Sequence, residues 1–463
     1  MTAFLLCAYI ALLIALSVRN TRAASAKSLI TGEGTAGPLL CALSLTSTII
    51  GGSATLGMGA LAQKTGTAAF WWLGVGAIGL VLHGLFIAPL IRRLPACTLP
   101  EVLRVLVGRR AERFAGFIIA MAWIGVTAAQ FAALKTLLGD MLPGTTGTVF
   151  FIVLSGAIVL HTAAGGQKGV LRTDAVQAML LAGGFTAAAC WVLSASGTDP
   201  VLAERLAAVD PVPFNERFGF ADWVKLMALV GLTYVIGPDM FSRTFASKNG
   251  AAARKGAFFA AAGLVFFGAA ITLLAMTNLS AGNPIAGWLS PESTMPAAIR
   301  TALAFGLVAA LAGSADTVLL SACAIIERDL LGADRSGRMR LLVALFGLGA
   351  VVVAATSGDI IAWLLYAYAL FVPGVALPLL VVLLALALRG GADALDLDNN
   401  LAAARTFANE RLWLAGAAAG GLCGLVGNFM GSGWTYAGLA ASLVFAMLSV
   451  ATAFKTPSAA RVR

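Results

Sequence analysis

The sequence predicts an all-α polytopic membrane protein of about thirteen transmembrane helices, and three observations carry that expectation. Of its 463 residues, 60% are hydrophobic and only 11% charged, and a mean hydropathy of +0.92 lies far outside the range of soluble domains. The apolar residues come in runs: the charge-free stretches 114–134, 175–198, 256–291 and 360–388 each exceed the roughly 20 residues a helix needs to cross about 30 Å of hydrocarbon. Runs of this length are helices, not barrel strands. The third observation is the segregation of Lys and Arg. With the N-terminus outside, 25 of the 31 basic residues fall in alternate loops, near 19–27, 92–113, 168–172, 243–255, 328–340 and 389–411, and in the tail from 455. A miscounted span would scramble that pattern, so an odd number of spans with the C-terminus inside is expected.

Taken in order, the spans fall near 2–17, 38–60, 68–91, 114–141, 146–165, 173–195, 222–245, 256–278, 298–327, 341–357, 360–388, 412–430 and 433–454. The first run lacks a basic n-region and a small-residue cleavage site, so it reads as a retained helix and not as a signal peptide. The chain is expected to be one transmembrane domain, 1–463. It divides into an extra helix and loop in 1–30, five helices in 38–195, five in 222–388 and two C-terminal helices in 412–454. The net charge of +10 serves topology: there is no compact basic domain and no face of interleaved aromatic and basic residues, so no nucleic-acid partner is expected. The expected surroundings are a lipid bilayer, as a multi-pass protein of a bacterial-type plasma (inner) membrane.

The six cysteines are scattered singly and read as packing residues. His83 and His161 lack a carboxylate or cysteine at ligand spacing, and Lys135 near a span end reads as a snorkelling side chain. No HExxH or GxSxG is present, which argues against an intramembrane enzyme, and no cofactor is expected.

Two spans carry interruptions. The second reads Ser44-Leu-Thr-Ser-Thr-Ile-Ile-Gly-Gly-Ser-Ala-Thr-Leu-Gly-Met-Gly59, with Gly51-Gly52 and many hydroxyls where a helix should be in mid-course. The seventh contains Gly231-Leu-Thr-Tyr-Val-Ile-Gly-Pro-Asp239, where Pro238 removes a backbone donor. If the first span is an extra, these are the first helices of two five-helix repeats. Paired breaks in corresponding positions point to a midplane binding site, although small residues also serve helix packing. Asp316, with Ser314 and Thr317 beside it, is an acid inside the ninth span, and its oxygens suit a hard cation. Asp174 lies at the start of the sixth span, where it or Thr173 would also make a helix N-cap. Ser53 and Thr55 at the break, Gln130, and Tyr234 as an aromatic gate are candidates for solute contact.

Several segments, in order, resemble the sodium:solute symporter family, the relatives of the sodium–glucose and sodium–proline cotransporters. The most specific is His161-Thr-Ala-Ala-Gly-Gly-Gln-Lys-Gly-Val-Leu-Arg-Thr-Asp-Ala-Val-Gln177. Gly237-Pro-Asp-Met-Phe-Ser-Arg-Thr-Phe-Ala-Ser-Lys248, Thr98-Leu-Pro-Glu-Val-Leu103 and Gly313-Ser-Ala-Asp-Thr-Val-Leu-Leu320 are similar to further family segments. The resemblance implies a leucine-transporter-type inverted five-plus-five repeat with flanking helices, and sodium-coupled symport of a small polar organic solute such as a sugar, amino acid, carboxylate or vitamin. It implies a sodium site made by the carbonyls of Ser47, Ile50 and Ala310 with side chains at positions 313 and 314, and a sodium path past Asp174. Here the sequence departs from the family: position 313 is Gly where a hydroxyl residue is usual, and Asp316, Thr317 or water would have to fill the gap. A proton-coupled or facilitative carrier is the alternative. A membrane sensor without transport is a third reading, disfavoured by the lack of a signalling domain.

Overall fold

In the computed structural model the chain is described over residues 2–18, 25–142, 144–278, 282–356, 360–389 and 407–455, where the regular elements are all helical. Arg19, Arg22 and Arg405 of the topology argument, and the tail beyond 455, lie outside the described residues. The principal helices are α1 (Thr2–Val18), α2 (Pro38–Ile49), α3 (Met58–Thr65), α4 (Trp71–Leu82), α5 (Arg109–Met141), α6 (Thr145–Ala195), α7 (Leu232–Val235) and α8 (Pro238–Ala246). They continue with α9 (Gly250–Thr277), α10 (Ala297–Ile325), α11 (Ser336–Thr356), α12 (Ile360–Phe371), α13 (Leu377–Leu388), α14 (Glu410–Met430) and α15 (Ser432–Lys455).

Ten described helical stretches are long and apolar enough to cross a bilayer, and Leu6–Ala15 and Pro38–Ile49 are shorter apolar helices. The expected count of thirteen is therefore not fixed by length. Where two spans and a loop were expected, α6 is two helices joined across a kink at Gly166, whose φ of 55° suits a residue without Cβ.

α10 is the axis of the molecule. It is buried at nearly every position from Leu303 to Ile325 and packs along α6, α5 and α2. Its sequence of Ala, Gly and Ser with interspersed Leu and Val permits that close approach, since small residues let helix backbones touch where no hydrophobic driving force separates helix from lipid. α11, α14 and α15 instead turn large apolar side chains outward, among them Leu345, Leu348, Val352, Leu422, Phe429 and Met447, as a lipid-facing shell requires.

The two interrupted helices are stitched together beside α10. Ala36, just before α2, accepts from Lys248 N–H and donates its own N–H to the Ala246 carbonyl at the end of α8, each at 3.0 Å. Ionic contacts close the same end: Glu101 meets Arg328 at 2.6 Å and Glu327 meets Arg338 at 2.7 Å.

Candidate functional site

α2 ends in a tight turn. Gly51 N–H bonds the Ile49 carbonyl at 3.0 Å around Ile50 (φ −85°, ψ 75°), the geometry of an inverse γ-turn. A π-helical turn, Ser53–Gly57, follows, with Gly57 N–H reaching back to the Gly52 carbonyl at 2.8 Å, before α3 resumes. Two side chains from other helices brace the break: Gln130 of α5 accepts from Gly52 N–H at 2.8 Å, and Ser314 of α10 donates to the carbonyls of Thr48 at 2.7 Å and Ser47 at 3.3 Å. Gly51 is needed for that approach, because a Cβ there would stand 2.4 Å from both Gln130 Oε1 and Ser314 Oγ.

The second break lies between α7 and α8. Ile236 (φ −129°, ψ 66°) leaves the helix, extended Gly237 caps the next one, and Pro238 occupies its first position, where the missing N–H costs nothing. His83 holds both halves, with Nδ1 2.9 Å from the Val235 carbonyl and Nε2 2.9 Å from Thr244 Oγ1. In the first turn of α8, Asp239 accepts from Trp123 Nε1 at 3.0 Å. A turn further on is Arg243, 1% exposed.

Arg243 organises a buried polar network joining four helices. Its Nε donates to Ser44 at 3.0 Å, and its Nη2 donates to Thr48 at 2.9 Å, to Asp174 Oδ2 at 3.1 Å and to Thr317. Ser44 in turn donates to Asp174 Oδ2 at 2.5 Å. A buried carboxylate with this set of donors is paired as intramembrane charge must be. Its other oxygen, Oδ1, lies beside Ser47 and makes no hydrogen bond of normal geometry. Gln177, one turn along α6 from Asp174, links the network to α1 by donating to Tyr9 at 3.0 Å.

The open Asp174 oxygen faces position 313. A Cβ on Gly313 would fall 2.2 Å from Ser47 Oγ, 2.7 Å from Gln177 Oε1 and 3.3 Å from Asp174 Oδ1. The room of the usual hydroxyl residue is thus taken by Ser47 and Gln177, and the carboxylate nearest the gap is Asp174, not Asp316. Asp316 points elsewhere: Oδ2 lies 3.7 Å from His161 Nε2 and Oδ1 accepts from Thr317 at 3.3 Å.

Between the two breaks is a small cavity of about 40 Å³, lined by Thr48, Ser53, Trp123, Gln130, Tyr234 and Asp239 among others, with Tyr368 of α12. By the usual allowance of roughly 10–15 Å³ per water it holds about three water molecules.

Of the residues singled out from sequence, Ser47, Ile50, Gly313 and Ser314 meet at the first break, with Ala310 buried one turn back along α10. Ser53, Gln130 and Tyr234 line the cavity. Thr55 does not: its hydroxyl turns back to the Gly51 carbonyl at 2.8 Å, the bond a mid-helix Thr makes four residues upstream. The N-cap alternative for Asp174 also fails, because α6 runs unbroken through it. His161, which lacks a partner in sequence, meets Asp316 and bonds Thr173 at 3.1 Å. Lys135 reaches the Ala355 carbonyl at 2.7 Å from an exposed position. Arg243, Asp239, Trp123 and Tyr368 were not singled out; the available signal was an Asp and an Arg four apart inside a run that hydropathy assigns to a span.

Two broken helices crossing beside a scaffold helix, with an ionic network and a small polar chamber between them, define a secondary transporter. The chain belongs to the sodium:solute symporter family, whose sequence profile it matches over residues 29–386. No curated protein matches it in sequence. Among solved structures it is similar to a sodium-coupled sialic acid symporter in a substrate-bound outward-open state, described as revealing a novel sodium site, at 16% identity over 97% of both chains with a TM-score of 0.74. It is also similar to Mhp1, a nucleobase-cation-symport-1 family transporter, in a closed conformation (15% identity, 93% of this chain and 96% of that one, TM-score 0.55). A manganese transporter of Eremococcus coleocola matches at 14% identity over 92% of this chain and 96% of that one, with a TM-score of 0.56. The fold is thus of the leucine-transporter type, in a multi-pass membrane protein, and family and fold together support sodium-coupled symport.

Proposed function

We propose that the protein carries a small polar organic solute across a bacterial-type inner membrane together with sodium, by alternating access, with its N-terminus outside and its C-terminus in the cytoplasm. The observation that carries this reading is a set of oxygens where α2 breaks against α10: the Ser47 and Thr48 carbonyls bonded by Ser314 Oγ and, facing Gly313, Asp174 Oδ1 with Ser47 Oγ. Such an oxygen set suits a hard cation. A sodium ion there ties α2 to α10, and Asp174 supplies the oxygen that Gly313 lacks. That cross-link favours the outward-open arrangement. Solute in the chamber then shifts the population toward the inward-open one, in which α2 and α8 part from α6 and sodium leaves past Asp174.

Proton coupling has one observation in its favour, the buried Asp316–His161 pair at 3.7 Å, which could hold and release a proton. Scintillation proximity binding of radiosodium to the purified full chain, competed by sodium or by potassium chloride, separates the two readings. Saturable binding displaced by sodium alone, and lost in Ser314→Ala, is expected. Absence of saturable sodium binding would overturn the sodium reading and leave the proton one.

A further inference from the structure

We infer that the solute carries a protonated amine and that Asp239 is the residue that recognises it. This rests on the transport reading above and names the class of solute for the same chamber. The carboxylate of Asp239 is 8% exposed and lines the cavity. Oδ2 takes the Trp123 indole N–H at 3.0 Å, while Oδ1 makes no hydrogen bond of normal geometry, and the Ser321 hydroxyl beside it is likewise unbonded. An intramembrane carboxylate left half satisfied is costly unless something else completes it.

The charges point to what that is. Away from the ionic cluster around Glu101 and Glu327, the buried charged side chains of the described residues are three acids, Asp174, Asp239 and Asp316, and one base, Arg243. The proposed sodium lies beside Asp174. Asp316 has His161 with which to share a proton, and Arg243 is committed to Asp174. Asp239 is touched by the neutral Trp123 and Ser321 and feels Arg243 only from one turn along α8, so it is the acid that lines the cavity without a cation in contact. No Lys, Arg or His lines the cavity among the described residues, so a carboxylate-only solute would meet a bare anion and no cation. The remaining lining suits an ammonium group: it includes the aromatic residues Tyr234, Tyr368 and Trp123 and the soft side chain of Met240. A space of about 40 Å³ accepts an ammonium head and its first substituents.

The test is thermal stabilisation of the purified full chain by three panels at equal ionic strength, each in sodium and in potassium chloride: amines (alanine, proline, ethanolamine), amine-free acids (lactate, acetate, succinate) and neutral polyols (glucose, glycerol). Stabilisation by amines only is expected, with apparent affinity falling about 30-fold or more in Asp239→Asn and partly kept in Asp239→Glu, as when one partner of a buried charge pair is removed. Size-exclusion behaviour checks that the variants are folded, and the panel comparison on the unaltered protein stands if they are not. Silence from every amine, or a response from an acid or polyol equal to the best amine, overturns the assignment. An acid or polyol that acts only in sodium would sink the amine assignment and spare the sodium one. An amine that acts equally in potassium would do the reverse.

Discussion

The two helix breaks look alike in sequence, each a small-residue interruption, yet they are built from different chemistry. At the first, the broken helix itself offers only neutral groups, the carbonyls of Ser47 and Thr48, with the Ser314 hydroxyl and the Gln130 amide from its neighbours, and the one charge nearby, Asp174 of α6, is already paired with Arg243. At the second, charge is carried on the helix itself, with Asp239 and Arg243 one turn apart on α8. The first break is a place where a cation can be held and released cheaply, because removing it leaves dipoles that fold back on one another, as Ser314 does. The second is a place where every change of partner strands a charge in a buried site. The proposed reading puts ion binding at one break and gating and solute recognition at the other.

Breaking the charged side should have the largest effect. Arg243→Met leaves Asp174 buried without its counter-ion, and a loss of about 3–5 kcal/mol is expected, seen as a collapse of folded yield and of the denaturant midpoint. Asp174→Asn combined with Arg243→Met should recover much of that loss. If the single variant is as stable as the unaltered protein, Arg243 is not the keystone and the contrast between the breaks disappears.

The neutral side is sharpened by Gly313. Installing the family's usual hydroxyl, Gly313→Ser, should not strengthen sodium binding, because its Cβ would meet Ser47 Oγ at 2.2 Å. An overpacking cost of about 1–3 kcal/mol is expected instead, read as a lower melting temperature in both sodium and potassium. Ser47→Ala in the same chain removes the nearer clashing oxygen, leaving Gln177 Oε1 at 2.7 Å, and should restore part of the stability, and only then does the added hydroxyl act on sodium affinity. Tighter sodium binding by Gly313→Ser alone would show that Ser47 does not fill the gap.

Much of this was legible beforehand. Hydropathy and Lys/Arg segregation outline the membrane helices because both are one-dimensional properties of the chain. Gly51-Gly52 and Gly237-Pro238 mark the breaks because few other residues interrupt a helix. What sequence did not show was pairing across helices. Arg243 counts as a loop cation by position, yet it is buried because Asp174, 69 residues earlier, lies opposite it. Asp316 is conspicuous as an acid inside a span, but nothing local says that it faces His161 and not the gap at Gly313. The polar stretch around Gly166 marks the kink within α6, but nothing local says that the Ser242 hydroxyl from α8 bonds Gln167 there, at 3.1 Å.

Thr55 offers the smallest effect and the cleanest control. It sits in the break as Ser53 does, and composition alone treats the two hydroxyls as equivalent. The structure separates them: Ser53 lines the cavity, whereas Thr55 is wholly buried and spends its hydroxyl on the Gly51 carbonyl of its own helix. Thr55→Val keeps the shape and removes only that bond, so a stability change of about 1 kcal/mol or less is expected. Sodium binding and the response to amines should stay within about twofold, a shift of less than half a kcal/mol. Ser53→Ala, measured alongside, should alter the amine response and leave the melting temperature without ligand nearly unchanged. If Thr55→Val instead weakens amine binding and Ser53→Ala does not, the π-helical turn must rotate between states so as to exchange the two hydroxyls, and the chamber seen here is not the one that holds the solute.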